Sequence, residues 1–404
     1  MGILIREDIV EKVDTAIEKL KDGEIIILTD NVDRENEGDL VCLAGKTSWE
    51  MIDFMTRHGR GLICAPLGPE LVVQLGLNPA VPGNDSPFYT PFTESLDIKA
   101  GGTTGISADE RARTLRQLAN PEAKGSDFTY PGHIFPLRAN PDGIFGRAGH
   151  TEGAVDLARL CGAAPAAVIC EILGEGGGMS RGEALDTFAL RENLFCISME
   201  ELTTYLYRPI ETVNMPLKLG AFTMSVYPKL PGETEPPVVL RSRAACKEGL
   251  PVPVRIHSQC MTGDLFGSQR CDCGEQLDQA LEILAEEGGL LIYLPQEGRG
   301  IGLTEKIKAY KLQEMGMDTI EANLALGHQV DSREYSSAIR ILKAEGIRAI
   351  SLFTNNPAKY AALKEAGFEV ERRALEIPPG EHNFSYLITK QNNMGHLLSL
   401  KERA

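Results

Sequence analysis

Between Thr203 and Pro216 the sequence TTYLYRPIETVNMP carries two prolines and no regular apolar spacing, so it continues neither an amphipathic helix nor an alternating strand. That break constrains the whole chain. The 404 residues exceed what one hydrophobic core usually organises, and the break leaves two stretches of ordinary domain size, predicted as 1–207 and 208–404. With 43% hydrophobic and 24% charged residues, each half can bury a core of its own.

In the first half, residues 13–20 have helical spacing, Lys21-Asp22-Gly23 breaks it, and EIIILT at 24–29 reads as a buried strand. The strand runs directly into DNVDRENEGD at 30–39, and so much charge beside a buried element implies a ligand or metal. Gly-rich loops follow at 101–105 and 174–178, with a helical stretch at 152–161. Trp49, Met51 and Met55 have helical spacing and are expected in the core. In the second half, PVVLRS and VPVRIHS read as strands, residues 276–287 as an amphipathic helix and GLLIYLP as a strand. Helices at 304–315 and 336–345 and the strand AISLFT complete an alternating order, which predicts a partly parallel sheet. The expected fold class is two mixed α/β domains in tandem, α/β and α+β in character.

No apolar run approaches the roughly 18 residues of a membrane span, and the N-terminus has acidic residues where a leader would be apolar. A cytoplasmic location without a membrane partner is expected. The net charge of −16 argues against a nucleic-acid partner, because phosphate backbones bind clustered Lys and Arg. Small phosphorylated molecules remain open through local basic pockets. Nine cysteines without a secretion signal do not suggest a disulfide framework. Cys42, Cys64, Cys161, Cys170, Cys196 and Cys246 are scattered and expected as buried thiols.

The other three, Cys260, Cys271 and Cys273, form C-x10-C-x-C, a soft ligand set with no fourth Cys at finger spacing. Three ligands suit a catalytic zinc with one open position; His257 nearby could instead close a structural site. The surrounding RIHSQCMTGDLFGSQRCDCGEQL resembles the zinc signature of GTP cyclohydrolase II, and the likeness continues through QEGRGIGL, KIKAY, DTIEAN, LGHQVDSREY, LFTNNPAKY and MGHLL. The resemblance implies zinc on Cys260, Cys271 and Cys273. It places GTP against Arg255, Ile256, His257, Ser258, Gln259 and Gln276, against Glu297, Gly298 and Arg299, and against Thr319, Thr354 and Lys359. It also implies Asp331 as base and Arg333 as nucleophile. Residue chemistry alone reads Arg333 as an electrostatic clamp oriented by Asp331, since a guanidinium pKa above about 12 leaves almost no neutral form.

In the first half DRENEGD, RHGRGLIC, TTGIS, YPGHIFPL, RAGHTEGAVDLARL and AAVICEIL resemble, in order, the motifs of 3,4-dihydroxy-2-butanone 4-phosphate synthase. That resemblance implies magnesium or manganese on Glu35 and His150. It places D-ribulose 5-phosphate among Arg34, Glu35, Asp39, Arg147, Ala148, Gly149, His150, Thr151 and Glu171. Glu37 and Glu171 are candidate proton carriers, and His58, His133, His328, His382 and His396 receive no catalytic role.

The two resemblances together imply a bifunctional enzyme of riboflavin biosynthesis acting on GTP and D-ribulose 5-phosphate, expected as a homodimer. One alternative keeps a single active head and a scaffold; another makes the cysteines a structural zinc module for nucleic acid. Departures from the family patterns are Gln259 in place of an acid, Glu94, Glu110, and Gly176 and Gly178, which place loop geometry in question.

Overall fold

The structure, a computed structural model, describes residues 6–31 and 33–400; the first five residues, where a leader was sought, and the extreme domain limits lie outside them. Two compact units part between Leu206 and Tyr207.

The first unit holds β1 (Ile26–Thr29), β2 (Gly38–Leu43), β3 (Cys64–Leu67), β4 (Leu96–Ile98), β5 (Phe128–Arg138), β6 (Ala167–Glu171) and β7 (Phe195–Ser198). They form one mixed sheet in the order β4-β5-β3-β6-β2-β1-β7. Successive side chains of a strand point to opposite faces, and here both faces are covered. Ile27, Leu40, Val168 and Cys170 pack with Ala112, Leu115 and Leu118 of the helix Ala108–Leu118. Ile26, Leu28, Val41 and Ala167 pack with the helices Glu7–Lys21 and His150–Leu160. Two-sided burial explains why the central strands read as continuous apolar runs. Each fully buried Ile or Leu contributes roughly 1.5–3 kcal/mol.

The second unit holds β8 (Glu211–Leu217), β9 (Gly220–Val226), β10 (Val238–Ser242), β11 (Val252–Ser258), β12 (Leu290–Leu294), β13 (Ala349–Phe353) and β14 (Glu369–Arg373). Their order is β14-β13-β11-β12-β10-β9-β8. β8, β9, β10 and β12 pair antiparallel, whereas β12, β11, β13 and β14 pair in parallel. The expected partly parallel sheet is therefore found. β11 connects through the helix Cys273–Glu287 to β12 on one side, and β13 lies on the other.

Three local expectations are corrected. The stretch read as aperiodic contains β8, an edge strand mostly exposed on both faces, so no apolar alternation marks it and Pro216 is tolerated. Tyr207 belongs to the second unit, buried with its ring 6.0 Å from Tyr227. Trp49 is not core: it opens the helix Trp49–Phe54 after the Ser48 cap and is 53% exposed, while Met55 is buried and Met51 partly so. Of the scattered thiols, Cys42, Cys64 and Cys170 are buried, and Cys161, Cys196 and Cys246 are partly so. Burial pushes Cys42 and Cys170 up to about 12, so both are inert at neutral pH.

Glu345, 3% exposed, ties the second unit together by accepting from Tyr227 Oη at 2.5 Å and pairing with Arg241. Glu345→Ala would leave a tyrosine hydroxyl and a largely buried guanidinium unpaired. It should cost about 3 kcal/mol, read as a lower urea midpoint for the transition that includes the second unit.

Candidate active sites

In the first unit the charged residues gather at one end of three adjacent strands. β2 runs antiparallel to both neighbours, so Asp39 stands opposite Leu28 of β1 and Glu171 of β6. Asp30 follows β1 and organises the acidic loop. Its carboxylate accepts from the backbone N–H of Glu35 (3.2 Å) and Glu37 (2.8 Å) and pairs with Arg34 (2.9 Å), while its own N–H donates to the Glu37 carbonyl (3.1 Å). From the other direction comes the N-terminus of the helix His150–Leu160. Gly153 lets this helix close on the sheet, since a Cβ there would come within 2.8 Å of Leu28 and Met199.

These elements bring one ligand atom each from Asp30, Glu35 and His150 within 4.8 Å of one another. Among the described residues, buried His150 Nε2 and Asp39 Oδ1 have no hydrogen-bond partner, and Asp39 Oδ1 faces His150 Nδ1 at 3.7 Å. Burial holds the His150 imidazole below its usual range, so it is neutral and able to ligate at pH 7. Burial, then the charge of Glu171, raises Asp39 well above the carboxylate range. Burial also raises Glu37, against the opposing pull of Arg181 at 2.5 Å. Glu171 Oε2 accepts from the Leu62 N–H at 2.8 Å.

Arg34 pairs with Glu35 at 2.6 Å and lies over the Phe88 ring, while Arg147 donates to Glu152 (2.7 Å) and to the Phe88 carbonyl (3.2 Å). Ala148 and Gly149 lead into the helix, and Thr151 is buried in its first turn, whose free N–H groups suit an anion. All the sequence-derived residues of this half thus border the same strand ends or helix terminus. Asp30, Arg181 and Phe88 were missed, because in the sequence Asp30 is one charge among several and the other two lie far from the loop.

The departures are accommodated. Glu110 accepts from the hydroxyls of Thr103 and Ser107 at 2.9 Å and from the Thr103 N–H, holding the 103–107 loop. Glu94 accepts from Asn78 Nδ2 at 3.1 Å. The Gly174 N–H donates to the Gly178 carbonyl at 2.7 Å, and open space surrounds Gly176 and Gly178.

In the second unit the site lies at the carboxyl ends of β11, β12 and β13, where connections leave in opposite directions and a crevice forms. Cys260, Cys271 and Cys273 place their sulfurs within 4.8 Å of one another. Gly263 sits against them; a Cβ there would meet the Cys271 sulfur at 3.0 Å and the Cys260 sulfur at 3.2 Å. Hydrogen bonds from Cys271 and Cys273, then from Lys306 Nζ at 3.1 Å, hold the Cys260 thiol far below its usual range. The hydrogen bond with Cys260, then burial and the Cys260 charge, pushes Cys271 up to about 11. His257 stands outside this trio: Nε2 faces Asp264 at 3.1 Å, and the ring stacks on Tyr293.

The cavity in front of the thiols is lined by six cationic side chains, Arg255, Arg299, Lys306, Arg333, Lys359 and Lys390, against two carboxylates, Asp272 and Glu297. Ser258, Gln259, Gln276, Gly298, Thr319 and Thr354 also line it. Ile256 and Asp331 do not. The Ile256 carbonyl accepts from Lys359 Nζ at 2.8 Å, and Asp331 grips Arg333 through Nε at 2.8 Å and through Nη2. Burial pushes Arg255 down to about 10, and burial with Arg255 and Arg333 lowers Lys359 well below the lysine range. Burial lowers Arg333, but Asp331 more than offsets this and keeps it charged. Gly298 and Arg299 both have left-handed backbone, φ 62° and 63°. Sequence reasoning missed Lys306, Tyr386, Lys390 and His396, whose signal is only their place in the fold.

Two tandem catalytic units, each built around a ligand-bearing cluster at strand ends, are the class this architecture defines. Residues 14–205 match the family model for 3,4-dihydroxy-2-butanone 4-phosphate synthase, and residues 208–374 that for GTP cyclohydrolase II. Riboflavin biosynthesis protein RibBA of Cytophaga hutchinsonii is 46% identical over 397 residues, spanning 96% of this chain and 97% of its own. The RibBA of Aquifex aeolicus is 48% identical over 397 residues, 95% of this chain and 97% of its own. The solved structure of RibBX, a two domain 3,4-dihydroxy-2-butanone 4-phosphate synthase from A. baumannii, is 30% identical with a TM-score of 0.52, covering 91% of this chain and 100% of that one. The chain belongs to the bifunctional RibBA family of riboflavin biosynthesis, with a lyase unit followed by a hydrolase unit. Among the described residues no helix is long and apolar enough to cross a membrane.

Asp30→Ala removes the acceptor for two backbone N–H groups and the partner of Arg34. Formate release from ribulose 5-phosphate should fall about 10–100-fold, with GTP turnover unchanged when the same preparation is assayed on both substrates.

Proposed function

We propose that the first unit converts D-ribulose 5-phosphate to L-3,4-dihydroxy-2-butanone 4-phosphate and formate. The second converts GTP to 2,5-diamino-6-ribosylamino-4(3H)-pyrimidinone 5′-phosphate, formate and diphosphate. One observation carries the reading: in a chain of net charge −16, the first site is a cluster of acids around an imidazole whose Nε2 has no hydrogen-bond partner among the described residues, and the second a cationic cavity facing three thiols.

In the first site Glu35 and His150, joined by Asp30, fit magnesium or manganese, since carboxylate oxygens and a neutral imidazole are the donors and Nε2 has no other partner. Such an ion supplies positive charge that favours enolisation of the bound ketose. Asp39, with one oxygen outside any hydrogen bond among the described residues and a raised affinity for protons, is suited to move a proton to or from the sugar carbons; Glu171 across the ladder and Glu37 are further carriers. Arg34, Arg147 and the helix N-terminus at Ala148, Gly149 and Thr151 suit the phosphate.

In the second site three thiols within reach of one ion fit zinc, and the contact of His257 Nε2 with Asp264 supports a site with no fourth protein ligand among the described residues. Zinc held there supplies Lewis acidity for hydrolysis at guanine C8. Arg299, Arg333 and Lys359 suit the triphosphate, and a polyanion relieves the mutual repulsion that lowers Lys359. The bidentate Asp331 pair favours the clamp over the nucleophile for Arg333, because it keeps the guanidinium charged. The proposed working form is a cytoplasmic homodimer acting on these small molecules, without nucleic acid or membrane.

Reciprocal inactivation tests the assignment. His150→Ala or Glu35→Gln should abolish formate release from ribulose 5-phosphate and leave GTP turnover nearly intact, while Cys271→Ser should do the reverse. Zinc-edge X-ray absorption should count three sulfurs and no imidazole; an imidazole neighbour would make the site structural.

A further inference from the structure

Residues beyond the stretch matched by the cyclohydrolase family model reach the cationic cavity. The helix Phe384–Asn393 and the segment after it contribute Tyr386, Lys390, His396 and Leu398 to its lining. Their placement is held by the fold. The Leu397 N–H donates to the Asn355 carbonyl at 2.9 Å, directly after β13 and next to Thr354. Asn355 in turn exchanges side-chain hydrogen bonds with the Leu375 backbone at 2.6 and 3.1 Å. Lys390 Nζ reaches Asp272, between two of the clustered cysteines, at 3.1 Å.

Tyr386 stands between two cations, with Lys390 Nζ 4.3 Å and the Arg299 guanidinium 5.7 Å from its ring centroid. Like charges are thereby held on one wall by the ring's negative face, and of the two only Lys390 has a carboxylate among its hydrogen-bond partners in the described residues. Arg299 also keeps the left-handed backbone that a non-glycine residue adopts at a cost. A wall strained to present two adjacent cations to a cavity suits an anion with several phosphates.

We propose that Lys390 is a further phosphate-binding residue of the GTP site, with Tyr386 positioning Lys390 and Arg299 side by side and residues 394–398 covering the cavity. This rests on the reading of the second unit as a GTP cyclohydrolase. The test uses the full chain, with calorimetric binding of a non-hydrolysable GTP analogue and of guanosine, and formate release as a function of GTP. Lys390→Met should weaken the analogue about tenfold and leave guanosine unchanged; Lys390→Arg should restore most of the loss. Leu397→Pro, which removes the N–H that docks the cover, should raise KM for GTP with kcat largely kept. Unchanged analogue binding in Lys390→Met, or equal loss of analogue and guanosine, overturns the assignment. A wild-type chain that binds neither and releases no formate from GTP overturns the underlying reading, and the assignment with it.

Discussion

Like charges gathered out of water without an opposite charge of their own are costly, and both sites of this chain are arranged in that way. In the first unit Asp30, Glu35, Glu37, Asp39 and Glu171 converge, and Arg34 and Arg181 neutralise only part of them. Among the described residues, a buried carboxylate oxygen and an imidazole nitrogen remain without a hydrogen bond. In the second unit the imbalance is inverted, with cations exceeding carboxylates in front of a group of thiols. On the reading proposed above, each site would be completed by a ligand of the sign it lacks, a metal cation in one and a polyphosphate in the other. The chain's overall negative charge contributes to neither selectivity; the local fields do.

The sheets make this imbalance possible by supplying rigid edges. Strand ends leave side chains and backbone groups facing one way while the strand interiors are fixed by burial on both faces. In the first unit the antiparallel register of β2 with β1 and β6 sets Asp39 beside Glu171, and the helix starting at His150 closes the cluster because Gly153 lets it approach. In the second, β11 and β13 end side by side, so the residues following them face each other across a crevice. Gly263 is the corresponding close contact, since only the lack of a side chain leaves the three sulfurs their spacing.

The second site also stores local strain, since Gly298 and Arg299 turn the chain after β12 through consecutive left-handed residues. Of these, Arg299 carries a cost that glycine does not, and it is the side chain delivered to the cavity.

Much of the fold was legible because its signals are local. The Ile-rich β1, the helix after the cysteines and the alternation of strands and helices in the second half follow from apolar spacing within a dozen residues. The cysteines and the acidic loop were legible as chemistry, since their residue types are costly to place without a ligand, whereas His150 was singled out only through the resemblance of its motif. Where the signal is weak the reading failed. β8 is an edge strand exposed on both faces, so nothing in its pattern marked it, and Trp49 shares helical spacing with Met55 yet opens its helix on the solvent side. The sequence by itself determined the two halves, most of their element types and the clusters of residue types that could hold a ligand. Only the tertiary structure decided that Asp30 organises the acidic loop, that Asp264 keeps His257 from the thiols, and that Lys306, Tyr386 and Lys390 join the second site. The physical reason is that these roles depend on distance between strand ends and helices far apart in the chain, which residue type and spacing do not encode.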